Sequence, residues 1–326
     1  MKFIDCQTHI FSPVFAELLF RNKGQVRPER QDGALAIHFG DNQTFRIQLS
    51  DYSPEKKLAD MDKAGVEYSI LAPNIPSPSD LDPELRVPGA RVSNDYTAEL
   101  CRLHPRRFRG LAVLPFSSIE ATMEEYRRAM EVLGLSGILL LSQLGGRMVD
   151  DQCWNPLYEA AASDGVPLVI HPTMPTWARE IRDHSMIPMM GFMVDHSFAM
   201  LRLILGGVLE RYPTLKIVHP HCGGVLPYLL PRVDEQTEVK RRGREFITKA
   251  PSEYYKSVYM DIVSPAEKTV RFSIDFAGTD RMLFGSDHPW IKIESMVDSF
   301  KRLGLAVPEA EAVGFRNAMK LFRISS

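Results

Sequence analysis

The chain has 326 residues, of which 44% are hydrophobic, so it is long enough to build a full core in one large α/β barrel or in two smaller domains. Its formal net charge of −2 does not indicate nucleic-acid binding. We expect no apolar run to be long enough to span a membrane. Four cysteines without CxxC spacing, together with the lack of a signal-peptide pattern after Met1, predict a cytoplasmic protein with reduced thiols.

Short apolar runs alternate with amphipathic stretches along the whole chain. The apolar runs predict strands at residues 2–9, 66–73, 109–114, 136–141, 166–171, 215–221, 257–261 and 281–287. The stretches between them predict helices at residues 55–64, 93–103, 119–132, 154–164, 197–211, 224–242, 266–276 and 294–303, with a last helix near 308–322. Several predicted strands are apolar throughout, which is typical of parallel strands covered on both faces. The repeats therefore predict a single-domain (β/α)8 TIM barrel over residues 1–326, with its active site at the carboxyl ends of the strands.

One long segment interrupts this alternation between the first strand and the first predicted helix. It runs over about residues 11–53 and contains two stretches of alternating hydrophobicity, at 36–39 and 44–49, on either side of Gly40. That pattern predicts a small hairpin. An insertion of this length at the mouth of a barrel typically forms a pocket wall or a lid.

Polar residues that can bind a metal stand at four predicted strand ends. The four segments are residues 5–9 (DCQTH), 170–172 (IHP), 219–224 (HPHCGG) and 285–289 (GSDHP). Imidazole nitrogens and a carboxylate suit zinc or another divalent ion, so we predict His9, His171 and Asp287 as metal ligands. Because alternate residues of a strand share a face, Asp5 and Gln7 are expected to point the same way as His9.

Three further histidines belong to the same segments. Alternation places His219 and His221 on one face, and the two glycines after His221 allow the backbone to approach a ligand closely. We predict that His221 acts as an acid, base or orienting group near the metal. We expect His219 one layer deeper, in the core or behind the site, and His288 in a structural role on the opposite face from Asp287.

Candidate substrate contacts follow the same strand ends. Arg179 and Arg232 lie shortly after the fifth and sixth predicted strands, and either could make a two-pronged contact with a carboxylate. Trp177 and Trp290 also stand just beyond strand ends and could stack on a planar substrate.

The sequence resembles the amidohydrolase-related branch of the amidohydrolase superfamily, which includes aminocarboxymuconate-semialdehyde decarboxylase and the hydroxybenzoate decarboxylases. The resemblance is clearest over residues 201–234 and recurs at 285–289 and 316–318. It implies a TIM barrel with one divalent metal, a homodimer, and a catalytic role for His221. It also implies that His9, His171 and Asp287 bind the metal and that Asp287 can move protons. Gln7 departs from the family, which has His or Glu there, so Gln7 is expected to be a weak ligand at most.

These features leave three hypotheses for function. The first is a metal-dependent, non-oxidative decarboxylase of an unsaturated or aromatic carboxylic acid, in which the metal stabilises developing negative charge and Asp287 or His221 delivers a proton. The second is a metal-dependent hydrolase of a lactone, ester or amide, and the third is a barrel that binds a small molecule without catalysis. Zinc is the expected metal, with manganese or magnesium as alternatives, and the expected partner is a small carboxylate rather than nucleic acid or a membrane.

Overall fold

The computed structural model describes residues 1–324. In chain order, the strands of this part are β1 (Phe3–Ile10), β2 (Val26–Gln31), β3 (Ala34–Phe39), β4 (Gln43–Ile47), β5 (Val66–Pro73), β6 (Phe108–Ala112), β7 (Gly137–Leu141), β8 (Gln143–Leu144), β9 (Arg147–Met148), β10 (Leu168–His171), β11 (Ile217–His219), β12 (Tyr259–Asp261) and β13 (Met282–Leu283).

Eight of these strands form one parallel sheet in the order β1-β5-β6-β7-β10-β11-β12-β13. The two end strands also meet. The backbone N–H of Cys6 donates to Phe284 O over 2.9 Å, and that of His9 donates to His288 O over 2.7 Å. These bonds close the sheet into a barrel, so the predicted (β/α)8 fold is confirmed.

Helices cover the outside of the barrel. Their bounds are Pro13–Leu19, Pro54–Ala64, Pro83–Leu103, Ile119–Arg127, Asn155–Asp164, Phe192–Leu205, Val208–Arg211, Leu226–Asp234, Pro251–Tyr255, Glu267–Ala277, Ile293–Arg302, Val307–Glu311 and Asn317–Leu321. π-helical turns lengthen or join several of them, at Arg128–Val132, Ile187–Gly191, Glu235–Val239 and Ala312–Arg316. The helix predicted at 93–103 in fact begins at Pro83, ten residues earlier, because proline in the first turn costs no helical hydrogen bond.

The helix Pro54–Ala64 carries the buried Lys57, and the local sequence determines where the helix begins and ends. Ser53 caps it by accepting a hydrogen bond from the backbone N–H of Lys56 over 3.2 Å, and Pro54 occupies the first turn. Gly65 ends the helix with φ of 72°, a left-handed conformation that glycine adopts at little cost.

The insertion forms its own three-stranded antiparallel sheet, in the order β2-β3-β4. The predicted hairpin corresponds to β3 and β4, while β2 was not foreseen from the sequence. Phe11 and Phe15 below it and Ile37, Phe45 and Ile47 within it belong to one apolar cluster that fixes the insertion on the barrel. Burial of this cluster positions β4 at the mouth of the barrel.

One stretch corrects the expectation about membrane-spanning segments. The helical residues Asp183–Leu205 are long and apolar enough to cross a membrane by length and composition alone. Half of their most apolar window is buried inside the fold, where Leu203 and Ile204 belong to the main core. Burial in the core accounts for the apolar character of this segment.

Candidate metal centre and active site

A β-bulge in the first strand decides which of its polar side chains reach the barrel mouth. The pairing of β1 with β5 shifts between Asp5 and Thr8, where β1 carries one extra residue. Asp5 is therefore bound by Ser286, whose backbone N–H donates to Asp5 Oδ1 over 2.9 Å and whose hydroxyl donates to Oδ2 over 2.5 Å. The expectation that Asp5 shares one face with Gln7 and His9 is wrong, because strict alternation does not continue through a bulge.

The three predicted metal ligands come together at the carboxyl ends of the barrel strands. His9 Nε2 lies 3.1 Å from Asp287 Oδ1, and the ring centroids of His9 and His171 are 5.0 Å apart. Two imidazoles that bind one ion at about 2.1 Å would place their ring centroids about 5 Å apart. The separation of the two rings is thus compatible with one shared ion.

The cluster is not a preformed metal site. Within residues 1–324, no three His, Cys, Asp or Glu side chains already meet as a metal-binding group. His9 and Asp287 instead use their ligand atoms on each other. An ion would have to replace that hydrogen bond. Among the described residues, the buried Nδ1 of His9 has no hydrogen-bond partner, so no second hydrogen bond fixes the orientation of the ring.

His171, the other histidine predicted as a ligand, is already in the form that metal binding requires. His171 Nδ1 lies 2.7 Å from the carbonyl oxygen of Pro172, which can only accept, so the ring proton is on Nδ1 and Nε2 keeps its lone pair. Burial, with His9 as a second cause, lowers the pKa of His171 to about 3, so the ring is neutral at physiological pH.

Asp287 is held in its ionised form. Burial by itself acts to raise the pKa of this carboxyl, but the hydrogen bond from His9 and the nearby rings of His221 and His171 outweigh it, so the pKa lies below its ordinary value. An ionised carboxylate beside two imidazoles matches the donor set of a divalent cation.

Gln7 contributes an unpaired oxygen to the same site. Its Nε2 lies 3.0 Å from His221 Nε2, and its Oε1 is buried with no hydrogen-bond partner among the described residues. Buried polar atoms normally have a partner, so an orphaned oxygen on the side chain that contacts His221 is suited to a cation. The donor chemistry of the site therefore fits a metal ion, and Gln7 Oε1 is the weakest of the predicted ligands.

Two of the predicted site residues have left-handed backbone conformations. φ is 51° at His221 and 65° at Asp287, values that residues other than glycine rarely adopt and that often mark functional sites. The backbone N–H of His221 donates to Asp261 Oδ1 over 2.8 Å, which stabilises this turn. His221 therefore reaches the site from a turn after β11, not by strand alternation with His219.

A chain of buried aromatic side chains lies behind His221. The ring of His196 stacks on that of His221 with centroids 5.9 Å apart, and His196 Nδ1 lies 2.8 Å from His219 Nε2. His219 Nδ1 in turn lies 2.7 Å from the hydroxyl of Tyr255. The deeper position expected for His219 is confirmed, while His196 was not identified from the sequence. Gly224 is required here because a Cβ would lie 2.6 Å from the His196 ring.

The metal-capable cluster lines a cavity of about 220 Å³. Its polar lining is His9, Asn74, His171, His221 and Asp287, and its apolar lining is Phe45, Ile75, Pro172, Pro188, Phe192, Met193 and Trp290. Phe45 lies on β4, so the insertion does form a wall of the pocket, as its length and position predict.

The predicted substrate contacts are only partly brought to this cavity. Trp290 lines it, but Trp177 lines a separate apolar cavity with Met186 and other residues of the loop after β10. Arg179 and Arg232 are both exposed on helical segments and line neither cavity. Position along the chain located the right loops, but it could not determine which way each helical turn faces.

A buried lysine joins β1, which carries His9, to the segment after β13 that carries Asp287. Lys57 is fully buried, and its Nζ donates to the hydroxyl of Thr8 and lies 2.9 Å from His288 Nδ1. Burial lowers the pKa of Lys57 to about 7, while nearby carboxylates act to raise it. The structural role expected for His288 is thus supported, and Lys57 is a residue that the sequence patterns did not reveal.

Comparison with known proteins agrees with this geometry. A family model described as Amidohydrolase matches residues 4–324. The chain belongs to this amidohydrolase family. The family resemblance read from residues 201–234 and 285–289 is therefore confirmed.

Several curated relatives of the chain are named as decarboxylases. It is 29% identical over 296 residues to a gamma-resorcylate decarboxylase of Polaromonas sp. (strain JS666 / ATCC BAA-500), covering 86% of this chain and 90% of that protein. It is 25% identical over 293 residues to a 2-amino-3-carboxymuconate-6-semialdehyde decarboxylase of Dictyostelium discoideum, covering 88% and 81%. These relatives are carboxy-lyases rather than hydrolases.

Solved structures of family members superpose over almost the whole chain. The 5-carboxyvanillate decarboxylase LigW from Sphingomonas paucimobilis matches with a TM-score of 0.88 and 25% identity, covering 99% of each chain. A dihydroxybenzoic acid decarboxylase from Polaromonas sp. JS666, solved with bound manganese and the inhibitor 2-nitroresorcinol, matches with a TM-score of 0.83 and 25% identity. That match covers 99% of this chain and 97% of the other.

Proposed function

We propose that this protein is a metal-dependent, non-oxidative decarboxylase of an aromatic carboxylic acid. The observation that carries the proposal is the convergence of His9, His171, Asp287 and His221 on one cavity whose remaining walls are largely apolar. A cavity with polar groups at one end and aromatic side chains around it suits a flat ring with one charged group. The decarboxylase names of the relatives support the same reaction.

Each side chain of the cluster has a defined part in this reaction. A divalent ion bound by His9, His171 and Asp287, with Gln7 Oε1 as a weak fourth ligand, would supply positive charge for the carboxylate and an adjacent oxygen. The ionised state of Asp287 and the neutral state of His171 are the forms that such binding needs.

The chemical step requires a proton at the ring carbon that bears the carboxylate. His221 delivers that proton, or Asp287 relays a proton that it first takes up from solvent, since Asp287 is ionised in the resting site. The bond between this carbon and CO₂ then breaks, and its electron pair restores the aromatic ring. The amide of Gln7 orients the His221 ring, because Gln7 Nε2 donates to His221 Nε2. Phe45 and Trp290 provide apolar surface against which the ring can pack.

The reaction is tested with protein loaded with a divalent metal and a panel of hydroxybenzoic acids. We expect stoichiometric release of CO₂ and formation of the matching phenol, with loss of both in a His171→Ala variant. Appearance of a ring-opened or hydrolysed acid without CO₂ would favour the hydrolase hypothesis. Substrate binding without turnover by the metal-loaded protein would favour a binding barrel.

The identity of the metal is a further part of the proposal. The two imidazoles favour zinc, whereas the related dihydroxybenzoic acid decarboxylase holds manganese. Reconstitution of the metal-stripped protein with zinc, manganese or magnesium, followed by elemental analysis and CO₂ measurement, distinguishes the three. We propose zinc as the ion that is retained most tightly, following the usual order of affinities.

Two wider properties complete the proposal. A homodimer follows from the family resemblance, and analytical ultracentrifugation measures it directly. A cytoplasmic location agrees with the four cysteines, which are all free thiols, since disulfides are rare in that compartment. Cell fractionation tests the location.

A further inference from the structure

The polar groups of the cavity are concentrated at its metal-capable end. Asn74 also lines the cavity, but its amide is occupied within the protein: Nδ2 donates to the Tyr52 hydroxyl over 2.8 Å, and Oδ1 accepts from the backbone N–H of Ile75 over 2.9 Å. The charged part of a substrate is therefore expected at the end of the cavity formed by the imidazoles and Asp287, where a metal ion would supply the opposite charge.

The wall formed by the insertion is aromatic. The rings of Phe45 and Phe192 stack with centroids 6.0 Å apart and an angle of 21° between their planes. Trp290 meets the edge of Phe45 at 6.3 Å. Together with Ile75 and Met193, these rings line the rest of the cavity with apolar surface.

No cation faces that aromatic wall. Of the residues that the structure describes, none of those lining the cavity is a lysine or an arginine, and Arg179 and Arg232 are exposed outside it. A second carboxylate placed against this wall would therefore lose part of its contact with water to apolar side chains and would gain no counter-charge. Burying an unpaired carboxylate is strongly unfavourable.

The volume of the cavity limits the size of the ring system. An apolar cavity of about 150 Å³ is large enough to hold benzene. The cavity here, about 220 Å³, accommodates one ring with a carboxylate and one or two small substituents. A fused two-ring acid would require the walls to move.

Resting on the proposed function, we propose that the substrate is a single-ring aromatic acid with one carboxylate and with hydrogen or a small apolar group on the edge that faces Phe45 and Trp290. The protein discriminates against the corresponding diacid. Phe45, which the insertion supplies, is the residue that sets this preference.

The first test compares three matched acids on the metal-loaded protein: 2-hydroxybenzoate with hydrogen, methyl or a second carboxylate para to the reacting carboxylate. We expect kcat/KM for the first two to agree within about tenfold and kcat/KM for the diacid to be lower by at least about 100-fold. A diacid that reacts as well as its methyl counterpart would overturn the inference and leave the decarboxylase proposal intact.

Binding measurements separate the two proposals if no acid is decarboxylated. Calorimetry uses the same three rings with a nitro group in place of the reacting carboxylate. Binding of the methyl compound at least about 30-fold tighter than the carboxyl compound supports the inference even without turnover. Equal binding of the two, or no binding of any ring, overturns it.

Introducing a positive charge into the wall supplies the second test. Phe45→Arg is expected to raise kcat/KM or affinity for the diacid by about tenfold or more and to weaken the methyl compound. Thr44→Arg is the matched control, because it adds the same charge at the neighbouring exposed position of β4. If Phe45→Arg does not fold, Trp290→Arg adds the same charge to the wall at a residue that is 46% exposed, and the same preference is measured in that variant. An unchanged preference in a folded variant contradicts the role of this wall.

Discussion

The side-chain amide nitrogen of Gln7 lies 3.0 Å from Nε2 of His221, across the mouth of the barrel. Because the amide NH₂ can only donate, His221 accepts this hydrogen bond at Nε2. The same contact directs Gln7 Oε1 into a buried position without a partner. Gln7 thus joins the proposed ligand set to the proposed proton donor.

Replacing Gln7 should separate metal affinity from catalysis. Gln7→His introduces the residue that the family resemblance implies at this position, and an imidazole nitrogen is a stronger ligand than an amide oxygen. We expect metal affinity to rise by about tenfold or more. We expect kcat to fall, because the His221 ring loses its hydrogen bond from the Gln7 amide. Chelator competition measures the first effect and CO₂ release the second.

The control for this substitution is Gln48→His, which places a histidine at an exposed position of the insertion. It should leave both quantities unchanged. If Gln7→His left metal affinity at the wild-type value, Gln7 would not be a member of the ligand set.

Removal of a proposed ligand should abolish metal retention. In His171→Ala the ring that already presents a free Nε2 is lost, so we expect metal affinity to drop by more than about 100-fold and CO₂ release to disappear. His38→Ala removes a partly exposed histidine on β3 and should change neither. Full metal content in His171→Ala, measured by elemental analysis after dialysis, would refute the assignment.

Lys57 should matter for stability as well as for the site. Its buried ammonium donates to Thr8 and lies 2.9 Å from His288 Nδ1, and these two residues flank His9 and Asp287 in the sequence. Lys57→Met leaves polar partners unsatisfied in the core and is expected to lower the free energy of unfolding by about 3–5 kcal/mol.

The matched control for Lys57 is its neighbour Lys56, which is exposed and pairs with Asp60 on the helix surface. Lys56→Met should cost less than about 0.5 kcal/mol. Urea denaturation of both variants gives the comparison. Equal, small effects would show that the buried ammonium does not hold the two segments together.

The buried carboxyl of Asp195 should make stability depend on pH. Burial raises the pKa of Asp195 to about 6, against hydrogen bonds from the Ser142 hydroxyl and the Thr173 backbone N–H. The folded state then binds more protons than the unfolded state between about pH 4 and pH 6. Stability contributed by Asp195 is therefore complete below about pH 4 and is lost as the pH rises through about 6.

Asp195→Asn should flatten the pH dependence of the free energy of unfolding by about 2 kcal/mol between pH 4 and pH 7. The exposed substitution Asp41→Asn should leave the curve unchanged. Urea titrations at pH 4, 5, 6 and 7 provide the curve. An identical slope in wild type and Asp195→Asn would contradict the raised pKa.

Sequence patterns were sufficient to locate the barrel strands and the strand-end residues His9, His171 and Asp287, because burial on both faces and position at a parallel strand end leave clear signals. The direction of Asp5 could not be predicted, since one extra residue in β1 reverses the alternation. His221 reaches the site through a left-handed turn, and no spacing rule describes that path.

Contacts made between distant segments were the least visible in the sequence. Lys57 reads as a surface residue of an amphipathic helix, yet it is buried against two strand ends. His196 and Phe45 likewise acquire their roles from packing across the barrel mouth. Arg179 and Arg232 illustrate the reverse case, because they follow the correct strands but lie on exposed turns of their helices.

The most direct test is X-ray diffraction from crystals of the metal-reconstituted protein, with data collected on both sides of the absorption edge of the added metal. We expect one anomalous peak about 2.0–2.3 Å from a ring nitrogen of His9, from Nε2 of His171 and from a carboxylate oxygen of Asp287. A peak bound by other residues, or a fully loaded crystal with no peak among these three, would contradict the proposed metal centre.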